Sequence, residues 1–210
     1  MDFSIRKAPA PELDREASEL AERISRGLSY DDDLGLVKYA DEKKIGVYFA
    51  PFSVFLALGK LGRKPRAFGA VGLIERGGKY VLTRQAKKGA DVEGMGRMND
   101  VPGRRALSFQ GFAIEWENDP IECAYAELNE ELGMDAGDVK EIRRELVVRE
   151  NEILLAALFS TELDDETILR LSSLAIDRWE VERIEFLGKE DGREFLKGGP
   201  YLEIFDRLVK

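Results

Sequence analysis

The spacing of apolar residues changes several times along this chain of 210 residues. Over residues 11–27 (PELDREASELAERISRG), Leu13, Ala17, Leu20 and Ile24 recur near a period of 3.6. That spacing predicts a helix with one buried face, closed at Gly27. The acidic run 31–35 (DDDLG) reads as a solvated turn. KKIGVYFAP and SVFLALG have strand-like content. They contain an uncharged run, residues 45–59, that is shorter than the ~20 residues of a membrane span and is interrupted by Pro51. A buried strand or helix is expected there, not a membrane contact. Residues 59–69, dense in Gly, Pro and basic side chains, read as a connection.

From residue 68 the pattern tightens. FGAVGLIERGGKYVLTRQ predicts two strands around a Gly77-Gly78 hairpin turn. Residues 86–108 show little periodicity, and so long a loop is uncommon in a compact domain unless it is functional. Its Lys87, Lys88, Arg97, Arg104 and Arg105 suit a lid over phosphates. SFQGFAIEW predicts a strand containing Gly111, and 119–133 a helix. Residues 141–151 and 152–163 predict two strands, 163–174 a short helix or loop, and WEVERIEFLG another strand. The tail predicts helix broken at Gly198-Gly199-Pro200.

Composition narrows the function. Apolar residues are 44% and charged residues 35%, a globular balance. The net charge is -9, and residues 1–66 hold 12 basic against 11 acidic groups, so the excess acid lies in the remainder. Such a body repels nucleic-acid backbones, and no nucleic-acid partner is expected. A metal site would make an acidic centre compatible with a small phosphorylated molecule. Cys123 is the only cysteine and no secretion signal opens the chain, so a cytoplasmic setting is expected. The absence of histidine removes Ser-His-Asp and Cys-His catalysis and leaves acid–base work to carboxylates, Lys or Tyr.

The helix at 119–133 carries the candidate chemistry. Asp119 suits the N-cap, Pro120 the first turn, and Glu122 the third position of a capping box. Ile121, Tyr125, Leu128 and Leu132 fall on one side, and Glu127, Glu130 and Glu131 on the other. Three like charges in the C-terminal half weaken a helix, and no lysine lies nearby to offset them. Two readings stand on these residues alone: a solvated acidic face, or carboxylates gathered for a hard cation.

The stretch 111–134 resembles the Nudix box. Gly111 and Glu117 are separated by five residues as in that signature, and Glu127-Leu128-Asn129-Glu130-Glu131-Leu132-Gly133-Met134 matches its second half without a gap. The likeness extends over roughly residues 66–190, about 60% of the chain. It departs in one extra residue after Glu117 and in Ala126, which stands where the family has arginine. The resemblance implies an α+β fold, an α/β/α sandwich with a mixed sheet, over residues 66–210; it does not account for residues 1–65, which are read as an N-terminal α/β extension. It implies hydrolysis of a diphosphate linkage in a nucleoside diphosphate derivative, with Mg2+ or Mn2+ held by Glu127, Glu130 and Glu131. Glu180, with Glu182 second, is the expected proton acceptor. Gly111 is expected to admit phosphate to the backbone. Arg84, Arg104 and Arg105 are the candidates for substrate binding or for replacing the missing arginine. Trp116 and Trp179 are candidates for stacking on a base. The alternative is a non-catalytic module of the same fold that binds a nucleotide or a protein, favoured by Ala126. Markers of particular substrates are absent, including any proline from 121 to 199. The aromatic run Tyr48–Phe55 needs covering, so a homodimer through residues 1–65 is expected.

Overall fold

The computed structural model describes residues 4–28, 31–41, 44–85, 91–92, 96–97, 104–177 and 180–210. In chain order they form β1 (Ser4–Lys7), α1 (Arg15–Ser25), β2 (Asp33–Ala40), β3 (Lys44–Pro51), α2 (Phe52–Lys60), β4 (Ala67–Arg76), β5 (Lys79–Gln85), β6 (Asp91–Val92), β7 (Gly96–Arg97), β8 (Arg105–Ala106) and β9 (Phe109–Phe112). Then come α3 (Ile121–Leu132), β10 (Lys140–Val148), β11 (Glu152–Ser160), α4 (Asp165–Ser172), β12 (Val181–Leu187), α5 (Lys189–Leu196) and α6 (Leu202–Leu208).

β4 organises the mixed sheet. Its residues 67–74 are all buried, the mark of a strand covered on both faces. One edge pairs in parallel with β11 from Ala67 to Glu75. The other edge is shared in succession by β2, β9 and β5, all antiparallel. Alternation then divides the core. Phe68, Ala70 and Ile74 of β4, with Ile153, Leu155 and Phe159 of β11, meet Leu128 and Leu132 of α3 and Ile168 of α4. Val71 and Leu73, with Leu154, Ala156 and Leu158, meet Leu196, Ile204, Phe205 and Leu208 of α5 and α6. The architecture is α+β, a Nudix-like α/β/α sandwich with a mixed sheet.

Residues of the N-terminal segment continue that sheet in the order β1-β3-β2-β4. The junction is short. Leu36 pairs with Ala67, Val37 N–H donates to Arg66 O at 2.9 Å, and Gly35 N–H donates to Ala113 O at 2.7 Å. α1 and α2 close over Leu34, Leu36, Tyr48 and Ala50. The aromatic run is thereby covered within the chain: Tyr48 and Phe52 are buried, and Phe49 packs edge-on against Trp116 with ring centroids 5.2 Å apart. The run therefore gives no separate reason for a dimer.

Two local expectations are corrected. SVFLALG is helical, within α2, not a strand. A uniformly apolar stretch carries no period that separates the two, and its N-terminus is fixed from afar. Asp31 accepts the Ser53 N–H and hydroxyl, both at 2.7 Å, supplying a cap that Pro51 cannot. The acidic run is thus partly a helix anchor, and its last residues open β2. The lid assigned to Lys87, Lys88 and Arg97 lies outside the described residues or their described side chains, as does Trp179. Among the described residues no helix is long and apolar enough to cross a membrane.

Phe109 crowds Gly72: a Cβ added at Gly72 would lie 1.9 Å from the Phe109 ring. Phe109 is fully buried and cannot swing out. Gly72→Ala should lower stability by ~1–3 kcal/mol. Adding Phe109→Leu should recover part of that loss, a non-additivity that urea unfolding of the double-mutant cycle would measure.

Candidate active site

The start of α3 is pinned by acidic side chains that collect free backbone donors. Asp119 Oδ1 accepts the Ile121 N–H at 2.9 Å. The Glu122 carboxylate accepts the N–H groups of Glu117, Asn118 and Asp119 at 2.7, 3.0 and 3.1 Å, and these bonds hold its pKa below the ordinary value. Arg144 of β10 completes the anchor, reaching Asp119 at 2.6 Å and Glu141 at 2.7 Å. At the other end Gly133 is left-handed, with φ 64°, and its N–H donates to Asn129 O. A Cβ there would lie 2.5 Å from Leu171 O, so glycine also admits the end of α4. Cys123, on the same helix, is buried and donates to Ile114 O at 3.2 Å.

Between those anchors the glutamates do not form a solvated face. Glu131 is only 3% exposed, and Glu127 and Glu130 are half-buried. Glu131 Oε1 accepts the Gln110 N–H at 3.0 Å. The reason is the sheet edge: among the described residues β9 pairs only with β4, so the carboxylate takes a donor that no strand carbonyl meets. Glu127 lies over Gly111, where a Cβ would come within 1.8 Å of its Oε1. Gly111 thus makes room for a carboxylate first.

Two further acids stand at the C-terminal end of α3. Asp177 N–H donates to Glu130 O, and Glu180 N–H donates to Asp177 O, both at 2.8 Å. This turn sets Glu180 beside the box glutamates. Burial raises Glu127 to about 8, with Glu130, Glu180 and Asp177 adding to the effect. Burial also raises Glu180 to about 7, helped by Asp177 and Glu130, and raises Glu130, helped by Asp177. Glu131 is pushed well above the ordinary range by burial, although the Gln110 N–H opposes this. The four glutamates are therefore all poorly solvated. Among the described residues no three of them converge into a ready-made metal cage.

The structure therefore sets Glu127 against Gly111, Glu131 against Gln110, and links Glu130 to Glu180 through the Asp177 backbone. Asp177 is the member that sequence reading missed; its only signal was a position three residues before Glu180. Glu182 does not join them. It is exposed, at a bulge in β12, and lines a shallow groove of about 310 Å³ with Leu169 and Ser172. Glu180 precedes the strand, so the two share no strand face. Trp116 is 4% exposed and packs on Phe49 and Phe68, a core residue and not a stacking platform.

The arginines stand apart from the glutamates. Among the described residues none of Arg84, Arg104 and Arg105 forms an ion pair with Glu127, Glu130 or Glu131. Arg104 lies 4.8 Å over the Tyr201 ring, and Arg105 lies 5.3 Å over Phe195 and donates to its carbonyl. Arg84 Nε is buried without a hydrogen-bond partner. Tyr201, pushed up to about 12 by burial, feels Arg104 in the opposite sense and, more weakly, Glu131.

No family model matches the chain, and no curated protein matches it significantly. Solved structures do. DR0079 from Deinococcus radiodurans is similar at 13% identity over 69% of this chain and 84% of that one, with a TM-score of 0.52. A C. elegans Ap4A hydrolase, at 13% identity over 66% and 93%, scores 0.45. A NUDIX hydrolase from Nitrosomonas europaea, at 14% over 68% and 86%, scores 0.43. These likenesses concern the fold alone.

A raised carboxyl pKa means that the folded chain holds its proton more tightly than the unfolded chain does. For Glu127 the stability tied to that proton is full below ~4.5 and is lost as pH rises through about 8. In metal-free protein Glu127→Gln and Glu131→Gln should therefore raise Tm by several degrees at pH 8.5, at ~2–4 °C per kcal/mol. At pH 4.5 the gain should vanish. Thermal unfolding across that range checks both the sign and the window.

Gly111→Ala forces the Glu127 carboxylate aside, and a flexible side-chain end moves at little cost. Its Tm should stay within ~3 °C of wild type.

Proposed function

We propose that this chain hydrolyses the diphosphate linkage of a nucleoside diphosphate derivative, such as a nucleotide sugar, using Mg2+ or Mn2+. The observation that carries this reading is the placement of four glutamates by the fold: Glu131 on the Gln110 N–H, Glu127 over Gly111, and Glu180 turned toward Glu130 through the Asp177 backbone. A helix built for stability alone would disperse those charges. The donor set fits a hard divalent cation: every group is a carboxylate oxygen, and each loses repulsion when a cation joins it. Glu127, Glu130 and Glu131 would hold it. The bound ion would supply neutralisation of phosphate charge and activation of water.

The residues of the chain do the rest. Glu131 is oriented through the Gln110 N–H, which fixes the helix against β9. Glu180, turned toward Glu130 through the Asp177 backbone, is assigned to accept the proton of the attacking water. Gly111 leaves the space that the Glu127 carboxylate occupies, so the strand adds no side chain of its own beside it. Arg104, with Arg84 and Arg105, is assigned to the substrate's phosphates, since no glutamate of the box neutralises it. The binding-module reading draws on Ala126, the absent arginine. A homodimer through residues 1–65 no longer has the aromatic run as its ground; were it to form, light scattering would report twice 23.7 kDa.

Glu130→Gln and Glu131→Gln should each lower turnover by ~100-fold or more with the fold intact. The assay is phosphate release from nucleotide sugars, dinucleoside polyphosphates, coenzyme A and deoxynucleotides with Mg2+. Turnover unchanged in both variants would sink the assignment. Failure to bind Mg2+ or Mn2+ at millimolar concentration in calorimetry would leave the module reading.

A further inference from the structure

Phe112 is a large apolar side chain that the fold leaves open: it is 37% exposed, one residue after Gly111. A single exposed ring needs no explanation, but this one belongs to a cluster. Phe52 and Phe55 of α2 stack with ring centroids 6.1 Å apart at 18°. Phe112 meets Phe55 at 6.1 Å and 57°, and Phe52 at 6.4 Å and 45°. Phe52 is buried and Phe55 half-buried, so the pair backs the open ring with a fixed wall. Rings so braced offer a face at little further entropic cost.

Strand register says what lies next to that face. Phe112, Gly69 and Leu154 pair across β9, β4 and β11, and Gln110, Val71 and Ala156 form a second row on the same side. That side carries Tyr201, over which Arg104 lies. The Gln110 N–H, meanwhile, reaches Glu131 around the strand edge. Three successive residues at the strand edge thus present the clamp on Glu131, the backbone beside Glu127 on the α3 face, and an open aromatic ring on the opposite face.

We propose that Phe112, braced by Phe52 and Phe55 from the N-terminal segment, is the stacking platform for the nucleobase of the substrate. This rests on the diphosphate reading above and deepens it. It selects a planar aromatic substituent over a sugar or an inorganic chain, and it gives residues 1–65 a part in specificity. The platform occupies the role for which Trp116 was a candidate.

The test is calorimetry with Mg2+ and two ligands that cannot be cleaved, α,β-methylene-ADP and methylenediphosphonate. The wild-type chain should bind the nucleoside compound ~10-fold more tightly, the scale of one base–aromatic contact. Phe112→Ala and Phe112→Leu should both bring the two ligands to within about 3-fold, with methylenediphosphonate affinity unchanged and Tm preserved. Equal affinity for both ligands in the wild type would overturn the platform and leave the diphosphate reading standing. Preference retained in Phe112→Leu would also overturn it, because apolar area and not the ring would then be the cause. Weakening of both ligands alike in Phe112→Ala would show that the ring only supports the fold. Binding of neither ligand by the wild type would overturn the diphosphate reading, and the platform with it.

Discussion

The hydrogen bond from Gln110 N–H to Glu131 joins the two halves of this site. An unpaired strand donor and a desolvated carboxylate are each unfavourable alone; together they satisfy one another. The bond also sets the depth of α3 against the sheet. Leu128 and Leu132 can then reach the core formed by β4 and β11, while Glu127 settles over Gly111. If the helix sat further from β9, the carboxylates would spread into water. The chemistry proposed here depends on their not doing so.

Much of the fold was legible in the sequence, for identifiable reasons. The α3 helix was visible because its boundary residues act locally: Glu122 reaches back three residues, and Gly133 turns left-handed. The β4–β5 hairpin was equally plain, since a Gly-Gly turn between apolar strands admits few alternatives. α2 was not. Its side chains are apolar all round, and the group that caps its N-terminus, Asp31, lies 22 positions upstream.

The site was legible in part. The spacing of Glu127, Glu130 and Glu131 placed them on one side of a helix, and the family resemblance supplied a reason to look there. What spacing could not convey was burial: whether that side faces water is decided by β9 and by the Asp177 turn, both distant in sequence. Asp177 itself had no motif around it. Glu180 stands apart from Glu182 because β12 begins only at Val181, a boundary that the residue types around it do not mark.

The thiol of Cys123 is sealed within the same helix, hydrogen-bonded to Ile114 O and pushed up to about 12. At neutral pH it stays a protonated, inaccessible thiol, and the thiolate is the reactive form. The folded chain is in effect thiol-silent. A cysteine introduced at any exposed position becomes its sole reactive handle, so a spectroscopic reporter can be attached without first engineering out the native residue.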